Sequence, residues 1–121
     1  MSDYAVINKS EEYRSVNVWF YNENEKPFAI GEKMYSINES AYMNGYNWDA
    51  LFNYYLAKHA PDLLEGMDSD PEAGSYVAHY ELTPENEKKA QKFADIIISL
   101  IENEEELYRI VREEGNVIEW D

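Results

Sequence analysis

Cysteine is absent from the 121 residues. That one absence removes disulfide frameworks, thiolate zinc sites and cysteine nucleophiles together, and it is compatible with a reducing cytoplasm. Long apolar runs are missing as well: no stretch approaches the roughly 20 residues needed to span a bilayer. The opening MSDYAVINKSEEYRSV lacks the basic and then continuously apolar segments of a secretory signal. The expectation is a soluble, unprocessed, cytoplasmic chain with no membrane partner. Basic residues are scarce, with 10 Lys and Arg against 25 Asp and Glu and a net charge of -15. The deficit is uneven: residues 1–60 carry five basic and eight acidic groups, net -3, and residues 61–121 carry five and seventeen, net -12. A field of that sign repels nucleic acid and anionic lipid, and it accelerates encounter with a basic partner. There is no P-loop, no dinucleotide fingerprint, no HExxH and no nucleophile elbow.

What the chain does contain is a core, with 45% hydrophobic and 15% aromatic content, more than acidic disordered chains carry. The segments YAVI and SVNVWFY are rich in β-branched and aromatic residues. Val16, Val18 and Phe20 alternate with Asn17, Trp19 and Tyr21, which reads as a pair of strands joined across NKSEEYR. Asn22 to Pro27 reads as a polar turn, and Phe28–Ile30 and Lys33–Ile37 as further strand or a short helix. Trp48, Leu51, Phe52, Tyr55 and Leu56 recur at helical spacing, with Asn47 the expected N-cap and Pro61 the stop. GSYVAHYEL reads as another strand. Thr83 and Pro84 then open a long helix to about Glu102, striped by Ala90, Phe93, Ala94, Ile97 and Ile101, and Asn103 starts a last helix through Glu104, Glu105 and Glu106 towards Arg109 and Arg112. The sum is one α+β domain over residues 1–121, a mainly antiparallel sheet with three helices packed on one face.

Candidates for chemistry are few. Asp68, Asp70 and Glu72 in DSDPE superficially match a calcium loop, but Pro71 interrupts it and His79 stands where the bidentate glutamate belongs, so an acidic turn is the better reading and no metal or other cofactor is assigned. His59 and His79 are isolated and read as surface or capping residues. The asparagine-flanked glycine of MNGYNW is expected to adopt a positive φ at Gly45, with Asn47 capping the helix and Trp48 buried at its first position as an anchor to the sheet. The competing reading leaves Tyr46 and Trp48 exposed in an interface. Eleven tyrosines suit a recognition surface, since each buries a ring and keeps a hydroxyl.

NGYNWDALFNYYLAKHAPDL followed by DPEAGSYVAHY resembles the immunity proteins of bacterial polymorphic-toxin systems, in particular immunity protein family fifty-one. The carriers are Asn44, Gly45, Tyr46 and Trp48, opening a helix, and Asp70, Glu72, Ala73 and Gly74, opening a strand. The resemblance implies a non-enzymatic antidote that binds a cognate protein toxin, a basic nuclease being one candidate. Asp68, Asp70 and Glu72 would meet the toxin's lysines or arginines, with Tyr46, Tyr76 and Tyr80 beside them. The alternative from the residues alone is a small hydrolase or metal-dependent enzyme using the acids of the 68–72 turn.

Overall fold

Two hairpins build the sheet. The first joins β1 (Ala5–Ser10) to β2 (Ser15–Phe20), and the second joins β3 (Asp68–Pro71) to β4 (Tyr76–Glu81). They meet through β2 and β4, giving the order β1-β2-β4-β3 with every pair antiparallel. The computed structural model describes residues 2–121. Four α-helices accompany the sheet: α1 (Glu25–Ile37), α2 (Gly45–His59), α3 (Pro84–Glu102) and α4 (Glu104–Glu113). The expected α+β class and antiparallel sheet are present, with four helices where three were expected. The additional one is α1, one continuous helix where a polar turn over 22–27 and then strand or a short helix were expected. Pro27 sits in its first turn, where no intrahelical N–H is required, and its buried residues Pro27, Ile30, Gly31 and Met34 fall at helical spacing.

One face of the sheet carries the core. Ala5, Val16, Val18, Phe20, Tyr76, Ala78 and Tyr80 are all buried there, as the two-residue strand period requires. Phe52 of α2 and Phe93 of α3 close over them, with the Phe52 ring centroid 5.4 Å from Phe20, 5.2 Å from Tyr76 and 5.7 Å from Phe93. The long helix α3 is capped as its sequence implies: Thr83 accepts from the Asn86 N–H at 3.0 Å and Pro84 occupies the first helical position.

The C-terminal helix is tied to α2 through one carboxylate. Glu114 accepts from the Tyr54 hydroxyl, from Lys58 Nζ at 2.6 Å and from Arg109 Nη1 at 2.8 Å. The Lys58 ammonium, then the Tyr54 hydroxyl and Arg109, hold its carboxyl down at about 2 against an ordinary 4.5, while partial burial opposes them. A folded-state value below the unfolded one means that the contribution is complete above pH 4.5 and is lost as pH falls towards 2. Glu114→Gln is therefore expected to lower stability at pH 7 by about 1–2 kcal/mol. Urea unfolding at pH 7, 4 and 2.5 should show the gap to wild type shrinking as the acid range is entered. A gap that stays constant with pH would mean that the charge on Glu114 contributes nothing.

Candidate functional site

The second face of the sheet follows from strand parity. Cross-strand pairing places Val6, Trp19, Val77 and Asp70 in one row and Asn8, Asn17, His79 and Asp68 in the next, with Ser10, Ser15 and Glu81 beyond. Among the described residues no helix covers it: the helices pack through the core cluster on the other side, and Val6, Trp19 and Val77 lie outside that cluster. Solvated faces of antiparallel sheets are ordinarily polar. Here the first row is apolar: Val77 is 4% exposed, Val6 and Trp19 are half-buried, and Trp19 stacks on the exposed Tyr21 with ring centroids 6.1 Å apart and planes at 9°.

The second row is a hydrogen-bonded strip. Asn17 is 7% exposed, so its amide needs partners. Its Nδ2 donates to Asn8 Oδ1 at 3.2 Å and to Ser15 Oγ at 3.3 Å, and its Oδ1 lies 2.6 Å from His79 Nδ1. Because that oxygen can only accept, Nδ1 of His79 carries the proton and the Nε2 edge of the ring stays free of this bond. The strip thus fixes side chains on three strands in one plane.

Acid borders this face. Asp68 and Asp70 are exposed on β3, opposite His79 and Val77, and Glu72 follows in the exposed turn. The expected acidic turn at 68–72 is therefore mostly an edge strand. DSDP has little β propensity of its own and is ordered by pairing with β4, and Pro71, which has no N–H to donate, is tolerated at the end of an edge strand. Among the described residues Lys9 is the one Lys or Arg within a strand, and it is turned to the helices, where Nζ meets Glu87 of α3 at 3.0 Å. Apart from His79, the described strand residues on this face are acidic or neutral.

The remaining candidate residues are dispersed. Tyr76 and Tyr80 are 0% and 2% exposed on the core side of β4, so neither can lie beside Asp68 and Asp70 on the surface. Burial raises both phenols far above their ordinary value, and the Tyr80 hydroxyl donates to the Leu63 carbonyl at 2.7 Å. Tyr46 is 41% exposed and borders a separate hollow with Asp49, Asn53 and the C-terminal Trp120. Trp48 is fully buried against Phe20 at 5.0 Å, the anchoring role expected of it, although it lies one turn inside the helix instead of at its first position. The cap is Asn44, whose side chain accepts from the Asn47 N–H at 3.0 Å. Asn47 itself is buried in the first turn, donating to the Tyr42 carbonyl at 2.7 Å and accepting from the Asp121 N–H at 2.7 Å.

Gly45 does not take the expected positive φ, which among the described glycines occurs only at Gly66. It is required by contact. The backbone of α2 starts against the 72–75 turn, with the Gly45 N–H donating to the Ala73 carbonyl at 2.9 Å, and a Cβ on Gly45 would lie 1.7 Å from the Glu72 carbonyl oxygen and 2.4 Å from that of Ser75. Gly74 is close to the Glu23 carboxylate, 2.6 Å from where its Cβ would be. The segments around Asn44 and Gly74, about 30 positions apart, are thus two sides of one backbone junction. Trp19, Tyr21, Asn17 and His79 were not among the expected site residues; the alternation in SVNVWFY placed three of them together on the side opposite the core.

Among the described residues, no three histidine or carboxylate side chains are grouped so as to hold a metal ion, and no helix is long and apolar enough to cross a membrane. The family model described as Immunity protein 51 matches residues 6–116, which include all but the first residue of the sheet and every helix. Neither the curated proteins nor the solved structures yield a match.

Proposed function

The chain belongs to the Immunity protein 51 family, and from that premise we propose that it neutralises a cognate protein toxin by non-enzymatic binding through the uncovered face of its sheet. One observation supports the choice of surface: an apolar row centred on Trp19 is bordered by Asp68, Asp70 and Glu72, and none of the described strand residues on the face is Lys or Arg. Apolar anchors inside a charged rim are what specific protein interfaces use. The net charge of -15 makes a basic toxin the complementary partner, and a nuclease, which must itself attract a polyanion, fits that description. A rigid strip such as Asn8, Asn17 and His79 presents donors and acceptors without loss of side-chain freedom on docking.

The test takes the product of the gene adjacent to this one as the candidate toxin. Wild type should protect cells from it and form a complex whose association slows as salt rises. Replacing Asp68, Asp70 and Glu72 together by alanine should slow association about tenfold at low ionic strength, with a smaller effect on dissociation, because all three are exposed at the border. The melting temperature should stay near that of wild type. Absence of a complex with the wild-type protein would refute the toxin reading. Full-speed association of the triple variant would move the contact away from β3, and the Glu104–Glu106 surface would be the next to test.

A further inference from the structure

Away from the sheet face, α1 and the segment leading into α2 enclose a cleft of about 510 Å³. Phe28, Glu32 and Tyr35 fall at i, i+4 and i+7 on α1 and form one wall, Tyr42 forms the other, and Glu23 and Asn22 lie at the end nearest the sheet. The walls stand close because at Gly31 a Cβ would already meet the Met43 Cβ at 3.0 Å. Phe28, Tyr35 and Tyr42 are 49%, 45% and 64% exposed, and the rings of Tyr35 and Tyr42 meet edge to face at 5.8 Å. No basic residue lines the space.

Asn22 closes the inner end of the cleft. It is 3% exposed, and its Nδ2 donates to the Ala73 carbonyl at 3.2 Å, which settles the orientation of the amide because a carbonyl can only accept. Its Oδ1 is left buried with no hydrogen-bond partner. That oxygen is closed off from solvent, so Asn22 shapes the inner end of the cleft and the exposed rings and carboxylates are the groups left to meet a ligand.

We propose that this cleft receives an arginine side chain of the partner protein. Two carboxylates select a cation, the aromatic walls offer π faces for a planar one, and a guanidinium can lie flat against a ring while its N–H fork pairs with Glu23 or Glu32. Ammonium is a compact point charge and matches flat aromatic walls less well. Only the identity of the side chain's owner rests on the toxin reading; the selectivity of the cleft does not.

The experiment titrates N-acetyl-arginine amide into the full chain and follows backbone and tyrosine resonances, with N-acetyl-norleucine amide as the uncharged control. Saturable shifts confined to Asn22, Phe28, Tyr35, Tyr42 and their neighbours are expected, with a Kd on the order of 1 mM, as suits a ligand of this size. Glu23→Gln with Glu32→Gln should weaken binding about fivefold without changing the fold. No saturable shift, an equal response to the norleucine amide, or unchanged binding by the double variant would each overturn the proposal. Arginine binding by a protein that fails to protect against the toxin would keep the cleft and remove the toxin reading. Protection without arginine binding would do the reverse.

Discussion

Valine at position 45 is expected to leave the protein unfolded. The position of a Cβ on Gly45 lies 1.7 Å from the Glu72 carbonyl oxygen and 2.4 Å from that of Ser75, and both are backbone atoms held by the turn's own hydrogen bond, Glu72 N–H to Ser75 O at 2.8 Å. Overpacking a core side chain costs about 1–3 kcal/mol because neighbouring side chains can shift. Here relief requires the start of α2 to separate from the 72–75 turn. That movement would break the Gly45 to Ala73 hydrogen bond and pull Trp48 and Phe52 off Phe20. The expected loss exceeds about 4 kcal/mol, a large part of the stability of a domain this size. Alanine brings the same Cβ and should be nearly as damaging, which separates close contact from any β-branching effect. Circular dichroism and urea unfolding decide the matter: a cooperative transition at the wild-type midpoint for Gly45→Ala would show that the junction opens without cost.

Trp19→Ala should have the largest effect on toxin binding and a small one on the fold. The indole lies between Val6 and Val77 in the apolar row and stacks on Tyr21, outside the core cluster. Tryptophans at the centre of an interface carry about 2–4 kcal/mol, so affinity should fall roughly 30- to 1000-fold. Stability should fall by about 1–2 kcal/mol, because Trp19 is half-buried beside the buried Val77 while the core side of β2, with Val16, Val18 and Phe20, is untouched. Calorimetric titration with the toxin beside a urea midpoint separates the two quantities. Wild-type affinity in a folded Trp19→Ala protein would exclude this face as the contact surface.

Local pattern carried much of the fold. The alternation of Val16, Val18 and Phe20 with Asn17 and Trp19, the stripe from Trp48 to Leu56, and the Thr83-Pro84 start of α3 are each statements about neighbours within one turn or one pleat, and each element is present, with only the start of α2 shifted. Residues 22–37 stay ambiguous at that range, a turn followed by either strand or short helix. Pro27 and Gly31 punctuate turns when read locally, yet one sits in the first turn of α1 and the other faces Met43, and burial of Ile30 and Met34 by the rest of the protein decides the outcome. The cap of α2 was misplaced by one turn because either Asn44 or Asn47 could serve in isolation. The structure commits Asn47 to Tyr42 and Asp121 instead.

Periodicity, composition and motif thus suffice for the α+β class, the acidic field and the family resemblance, since each depends on residue identity and short spacing. Which face of a strand is covered depends on residues far away in the chain. Tyr76 and Tyr80 share β4 with His79, yet the two tyrosines are sealed beneath Phe52, Phe93 and Leu63 while the histidine joins Asn17 on the open side. The reason Gly45 must be glycine is likewise long-range: its own dihedral angles are ordinary, and the obstruction is a carbonyl 27 positions on, brought there only when β3 and β4 pair and α2 docks against their turn.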